Sequence, residues 1–219
     1  MKILPHKQGS EEWLAARAGI ITASELGNLL TPLMKHKTGE TPKTYLYRKL
    51  AEKWQGFPLQ SFGGGAMEQG SLLESEAIPW YEVEYGVDVE RVGLVLTDDG
   101  KFGASPDGLL SDRGIEVKCP QPHTHIKWWL DGVVPEEHLL QCHGGMFATG
   151  YKRWDFISYC RGFPPLVRTV EADPVAQDVI LGAVERFYEN MDEGWKMIVA
   201  ANGGEPKRDS EEIDTHPFE

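Results

Sequence analysis

The sequence predicts an α/β fold, a central mixed β-sheet flanked by helices, and three patterns in its 219 residues carry that prediction. The first half holds helix-period segments with recognisable starts. Residues 87–118 change to the alternation of strands. The last third reads helix, strand, strand and long helix.

Ser10 precedes Glu11-Glu12-Trp13-Leu14-Ala15-Ala16-Arg17; its hydroxyl can cap, the two glutamates suit the positive helix end, and Gly19 should stop the helix. Thr22-Ala23-Ser24-Glu25 has the form of a capping box leading into Leu26, Leu29 and Leu30. Thr41-Pro42 starts a third helix through Tyr45, Leu46, Leu50 and Trp54, with proline at a tolerated position. Gly63-Gly64-Gly65 marks a mobile or tightly turned loop, and a helix kinked at Pro79 follows from about Gln69 to Tyr85. From Val87 onward Val92, Leu94 and Leu96 alternate. Turns at Asp98-Asp99-Gly100 and Asp112-Arg113-Gly114 then make a strand meander ending in Ile115-Glu116-Val117-Lys118. A helix from Glu136 to Thr149, strands Trp154 to Cys160 and Leu166 to Glu171, and a helix from Asp173-Pro174 to about Ala200 complete the chain.

With 41% apolar side chains this length supports one domain over residues 1–205, followed by an acidic, flexible tail over 206–219. No apolar run is long enough to span a bilayer and the N-terminus lacks a secretory signal, so a cytoplasmic protein is expected. Cys119, Cys142 and Cys160 form no CxxC pair, which argues against a disulfide framework or a four-cysteine zinc site. His123, His125, His138 and His143 fit no zinc motif and read as solvated loop and helix positions. The net charge of −12 excludes a protein that coats nucleic acid through many phosphate contacts. It leaves room for an enzyme on DNA, which must concentrate carboxylates around metal ions and needs basic groups only along one channel.

Ser105-Pro106-Asp107-Gly108 and Glu116-Val117-Lys118, with eight residues between Asp107 and Glu116, are the sharpest feature. Alone, the first is a turn and the second an ordinary charged strand. Together they suit phosphodiester cleavage: Glu116 and Lys118 share one strand face, and a preceding turn can bring Asp107 to it. Two carboxylates hold hard divalent cations, and an ammonium beside them orients attacking water or, losing a proton, acts as base. Sequence leaves both roles of Lys118 open.

The pattern resembles the PD-(D/E)xK nuclease signature of the restriction-endonuclease-like fold. Its surroundings resemble the lambda-type (YqaJ-like) alkaline exonucleases of phage recombination. Trp13 to Glu25, Gly70 to Ala77, Ser105 to Gly108, Glu116 to Pro120 and Gln141 carry the resemblance in family order, over about residues 11–160. The resemblance implies that Asp107, Glu116 and the Val117 carbonyl hold Mg²⁺, two ions per site with Mn²⁺ as a substitute, and that Lys118 is the catalytic lysine. It places Glu74 behind the second metal and Gln141 beside the attacking water, and gives Arg17, Ser24 and Ser105 the 5′-phosphate of the DNA end. An independent reason for that pocket is that a capping-box helix start offers free N–H groups to an anion; Arg17 as a plain surface residue is the other reading. Met67 stands where the family places an apolar strand-separating wedge, though it could equally fold onto the core.

A 5′-to-3′ exonuclease follows from the resemblance, one that degrades one strand of duplex DNA to mononucleotides and leaves 3′ single strands for recombination. It also implies a homotrimeric ring around DNA and a single-strand annealing protein as partner, in a bacterial or phage-infected host. No GxxxxGK[ST] loop is present, so ATP-driven translocation is not expected. The alternatives are an endonuclease or nickase with the same centre, and an inactive DNA-end-binding recombination protein.

Overall fold

The computed structural model describes residues 1–59 and 65–206, with residues 65–72 described by their backbone alone. Gly63, Gly64, the Met67 side chain and residues 207–219 of the acidic tail lie outside the described residues.

The order of elements is β1 (Lys2–Leu4), α1 (Glu11–Arg17), β2 (Ile21–Thr22), a 3₁₀ turn (Ala23–Asn28), α2 (Glu40–Gln55), α3 (Gly65–Tyr85), β3 (Leu94–Leu96), β4 (Phe102–Ala104), β5 (Gly108–Leu109), β6 (Arg113–Lys118), α4 (Pro122–Asp131), α5 (Glu136–Thr149), β7 (Arg153–Ser158), β8 (Leu166–Glu171) and α6 (Pro174–Asn202). The strands divide into two mixed sheets, β1-β3-β4-β2 and β5-β6-β7-β8. In the second, β5 and β8 run antiparallel to their neighbours, while β6 and β7 are parallel with Glu116 opposite Phe156 and Lys118 opposite Ser158. Parallel strands require a crossover, and α4 and α5 supply it.

The expected meander is therefore two hairpins in different sheets, and the chain passes between them at Ser105-Pro106-Asp107. The second turn falls slightly earlier than expected, at Ser111-Asp112 between β5 and β6, closed by the Leu110 N–H on the Arg113 carbonyl at 2.8 Å, and Arg113 and Gly114 already belong to β6. Gly114 is glycine for packing, since a Cβ there would lie 2.4 Å from the Trp154 ring. Sequence missed α4; it also missed β1 and β2, which at three and two residues are too short for a periodic signal. The third helix starts one residue before Thr41, at Glu40.

Helix α5 forms the centre. Gly144 and Gly145 let it approach both neighbours, because a Cβ would sit 2.8 Å from Ala23 on one side and 2.5 Å from Trp154 on the other. One core packs the 3₁₀ turn, α2 and α6 around Leu26, Leu30, Phe102 and Ile180; another gathers Trp154, Phe156, Met146 and Trp128 on the second sheet. Helix α3 is tied to that sheet by Tyr81, whose hydroxyl donates at 2.5 Å to the buried Asp155 carboxylate, itself also bonded by Thr169 and Arg113.

Three of the four histidines are not solvated as expected. His125 is buried and bonds Ser158 Oγ at 2.7 Å and the Pro164 carbonyl at 3.1 Å. His143 is buried, and the His138 ring stacks on Phe156. Flanking apolar residues were enough to draw these positions inward once α4 and α5 packed on the sheet. All three cysteines are free thiols.

Candidate active site

Asp107 leaves β4 and enters β5 beside the middle of β6. Its backbone N–H donates to the Ile115 carbonyl at 3.2 Å, and its carboxylate accepts the Val117 N–H at 2.6 Å. That pair of bonds delivers Asp107 to the strand carrying Glu116 and Lys118. Alternation then puts the latter two on one face, with Lys118 Nζ 2.5 Å from Glu116 Oε1. Glu116 is only 3% exposed. Gln141, from α5, hydrogen-bonds Glu116, and Glu74, from α3, lies close enough to repel both carboxylates. Residues from three elements and from the β4–β5 connection thus meet at one place.

Burial first, then Glu116 and Glu74, push the Asp107 carboxyl well above its usual range, against the Val117 N–H and Lys118. Burial also raises Glu116, although Lys118 and Gln141 counteract it. Burial lowers Lys118, but Glu116 and Asp107 outweigh it and hold the ammonium above its usual value. The cluster carries more negative charge than its one ammonium balances, which is the environment a divalent cation neutralises. Among the described residues no three His, Cys, Asp or Glu side chains group as a metal cage. The Asp107 and Glu116 carboxylates remain as hard oxygen donors, a chemistry that suits a hard divalent cation that keeps much of its hydration.

Arg17, Ser24 and Ser105 also come together. Arg17 donates to Ser105 Oγ at 3.3 Å and to Thr22 Oγ1 at 3.4 Å, and Thr22 Oγ1 lies 3.4 Å from Ser24 Oγ. Ser105 is two residues from Asp107, so this group adjoins the carboxylates. The capping-box argument for it fails, however. Residues 23–28 form a 3₁₀ turn without a side-chain cap. Glu25 does not reach back because it is taken by Arg48 at 2.7 Å, Thr22 at 2.8 Å and Lys49 at 3.0 Å. Side chains, not a helix end, build this pocket.

Sequence reasoning gave no site role to Trp13 or Arg91, and gave Thr22 and Glu25 only that of a capping box. Trp13 stacks under the Arg17 guanidinium at 4.2 Å, a pairing that i,i+4 spacing on α1 could have signalled. Arg91 pairs with Glu74 at 2.6 Å across 17 residues, which no local pattern announces.

Fold and cluster together define a nuclease of the restriction-endonuclease-like fold. The model of the YqaJ-like viral recombinase domain matches residues 12–152, and the chain belongs to that family. It is similar to the alkaline exonuclease LHK-Exo of Laribacter hongkongensis, at 29% identity and a TM-score of 0.79, covering 89% of this chain and 98% of that one. LHK-Exo in complex with dAMP gives the same TM-score and coverages at 30% identity. A phage-related exonuclease from Haemophilus somnus 129PT shares the fold, at 13% identity and a TM-score of 0.66 over 82% of this chain and 96% of that one. No curated protein matches the sequence. No helix among the described residues is long and apolar enough to cross a membrane.

Proposed function

We propose that this nuclease is a Mg²⁺-dependent 5′-to-3′ exonuclease on duplex DNA with 5′-phosphorylated ends. The observation that carries the reading is the adjacency of two groups: the Asp107, Glu116 and Lys118 cluster, and the Arg17, Ser24 and Ser105 pocket two residues away along the chain. In this reading Asp107, Glu116 and the Val117 carbonyl hold the cations, two per site, with Mn²⁺ able to substitute. When bound they supply Lewis-acid stabilisation of the charge that develops on the phosphate. Lys118, fixed by Glu116, holds the attacking water with a free N–H, and Gln141 orients it from α5. Glu74 adds negative charge on the α3 side.

Attack on phosphorus with loss of the 3′ oxygen releases a 5′-mononucleotide, and dAMP, the molecule bound to LHK-Exo, is one. The cut leaves a phosphate on the next nucleotide. The pocket therefore meets the same chemistry at every step, and digestion leaves a 3′ single strand for an annealing partner. A homotrimeric ring and a wedge at Met67 belong to the same proposal.

Linear 5′-phosphorylated duplex should yield mononucleotides in Mg²⁺, while closed circles stay intact and 5′-hydroxyl duplex reacts slowly. Cutting of closed circles would move the reading to an endonuclease. Binding of ends without nucleotide release under any divalent metal would leave only an end-binding protein. Sedimentation of the purified protein tests the trimer.

A further inference from the structure

We propose that Trp13 and Glu25 are positioning residues that set the hydrogen-bond polarity of the Arg17, Ser24 and Ser105 pocket, so that it presents donors alone and selects an ionised phosphate. The proposal rests on the 5′-phosphate reading above and deepens it.

A serine hydroxyl has one proton and two acceptor sites. Ser105 Oγ accepts the Trp13 indole N–H at 3.1 Å and the Arg17 N–H at 3.3 Å, which fills both. Its own proton can then only be given away. The indole is locked in turn, since the same N–H reaches the Gly93 carbonyl at 3.1 Å and the ring carries the Arg17 guanidinium. A phosphate oxygen placed there receives a hydrogen bond and meets no lone pair.

Glu25 does the same from the other side. Its carboxylate accepts the Thr22 hydroxyl at 2.8 Å, so Thr22 must accept from both Arg17 and Ser24. Ser24 is thereby the donor of its pair, at a weak 3.4 Å that a phosphate oxygen can replace. Burial pushes the Glu25 carboxyl up, but Lys49, Thr22 and Arg48 outweigh it and keep it an acceptor. Behind it Lys49 also meets Glu52 at 2.9 Å, and Glu52 accepts the Gly19 N–H at 3.2 Å where α1 ends. The network sets three cations, Arg17, Arg48 and Lys49, against two carboxylates. Arg17 makes no ion pair among the described residues and is the one left for an anion.

The test compares kcat/KM for release of the labelled 5′-terminal residue alone from 5′-phosphoryl and 5′-hydroxyl duplexes in Mg²⁺, since every later cut acts on a 5′-phosphate. Trp13→Phe keeps the ring and removes the N–H; Glu25→Gln keeps the shape and supplies a competing donor. Each should lower the phosphoryl preference about tenfold, the effect of one lost hydrogen bond to a charged group, through KM and with the 5′-hydroxyl rate unchanged. In a Ser105→Ala background Trp13→Phe should cost nothing more, and in a Thr22→Val background neither should Glu25→Gln. A merely structural role would lower both rates together and add in the double variants, and that outcome overturns the proposal. So does wild-type preference in both single variants. Should Glu25→Gln not fold, the Trp13 and Ser105 cycle decides alone. Equal wild-type rates on the two ends would instead remove the end-recognition reading itself.

Discussion

Replacement of Gly145 by alanine tests the packing that brings α5 to the active-site sheet. A Cβ there would lie 2.5 Å from two Trp154 ring atoms and 2.8 Å from a third. Ordinary contact needs about 1 Å more. Trp154 is 1% exposed and backed by Gly114, where a Cβ would also collide with the ring, so it has nowhere to retreat. Such overpacking costs about 1–3 kcal/mol, against a gain of about 1 kcal/mol from alanine's helix propensity. The net loss, up to about 2 kcal/mol, lowers the melting temperature by up to about 8 °C in a chain of this size. Gly182, in α6, is the internal control: its Cβ would meet nothing within 4 Å. Gly182→Ala should therefore raise the melting temperature by about 2–4 °C through propensity alone. Gln141 lies one turn before Gly145, so a displaced α5 should also cut the nuclease rate by about tenfold. Thermal melts and nucleotide release on the two variants read these out. A Gly145→Ala protein melting above the wild type would refute the reasoning, because propensity would then have outweighed the contact.

Asp107→Asn and Lys118→Ala should each lower nucleotide release by at least about 100-fold while leaving duplex binding measurable by anisotropy. Without metal, Asp107→Asn should melt higher than the wild type, since it removes one of three mutually repelling carboxylates. EDTA should abolish release and excess Mg²⁺ restore it. Burial, with Lys118 nearby, depresses His138 to about 4. Because the folded value lies below the ordinary 6.5, its contribution is complete above pH 6.5 and is lost as pH falls towards 4. Urea melts at pH 7.5 and 5 should show the wild type losing about 2 kcal/mol more than His138→Phe; equal losses would remove His138 as the cause. Cys119, pushed up to about 12 mainly by burial, should resist iodoacetamide at pH 8 in folded protein and react in urea.

Helix α5 and β8 coincide with their expected bounds, and α1 begins at its capping Ser10 as read. Those segments carry strong local codes: a cap on α1, an apolar stripe on α5, and three β-branched residues, Val167, Thr169 and Val170, in β8. Thr22 to Glu25 carried an equally good code and misled, because Arg48 and Lys49 from α2 claimed the glutamate. Arg113 and Gly114 resembled a turn until Trp154, 40 residues on, needed the space above a glycine. In both cases a distant side chain outbid the local preference.

What the sequence by itself determined is the set of chemical parts. Alternation on one strand obliges Glu116 and Lys118 to face the same way, and the joint order of motifs identifies the family. Only the tertiary structure decided what those parts surround. Asp107 reaches Glu116 because the chain crosses from one sheet to the other at Pro106, and Gln141 because two glycines let α5 sit against Trp154. Arg17 is an anion-ready cation because Trp13, Thr22 and a buried network hold it. Local spacing specifies direction along a strand or helix, whereas burial, charge balance and hydroxyl polarity depend on what packs from the rest of the chain.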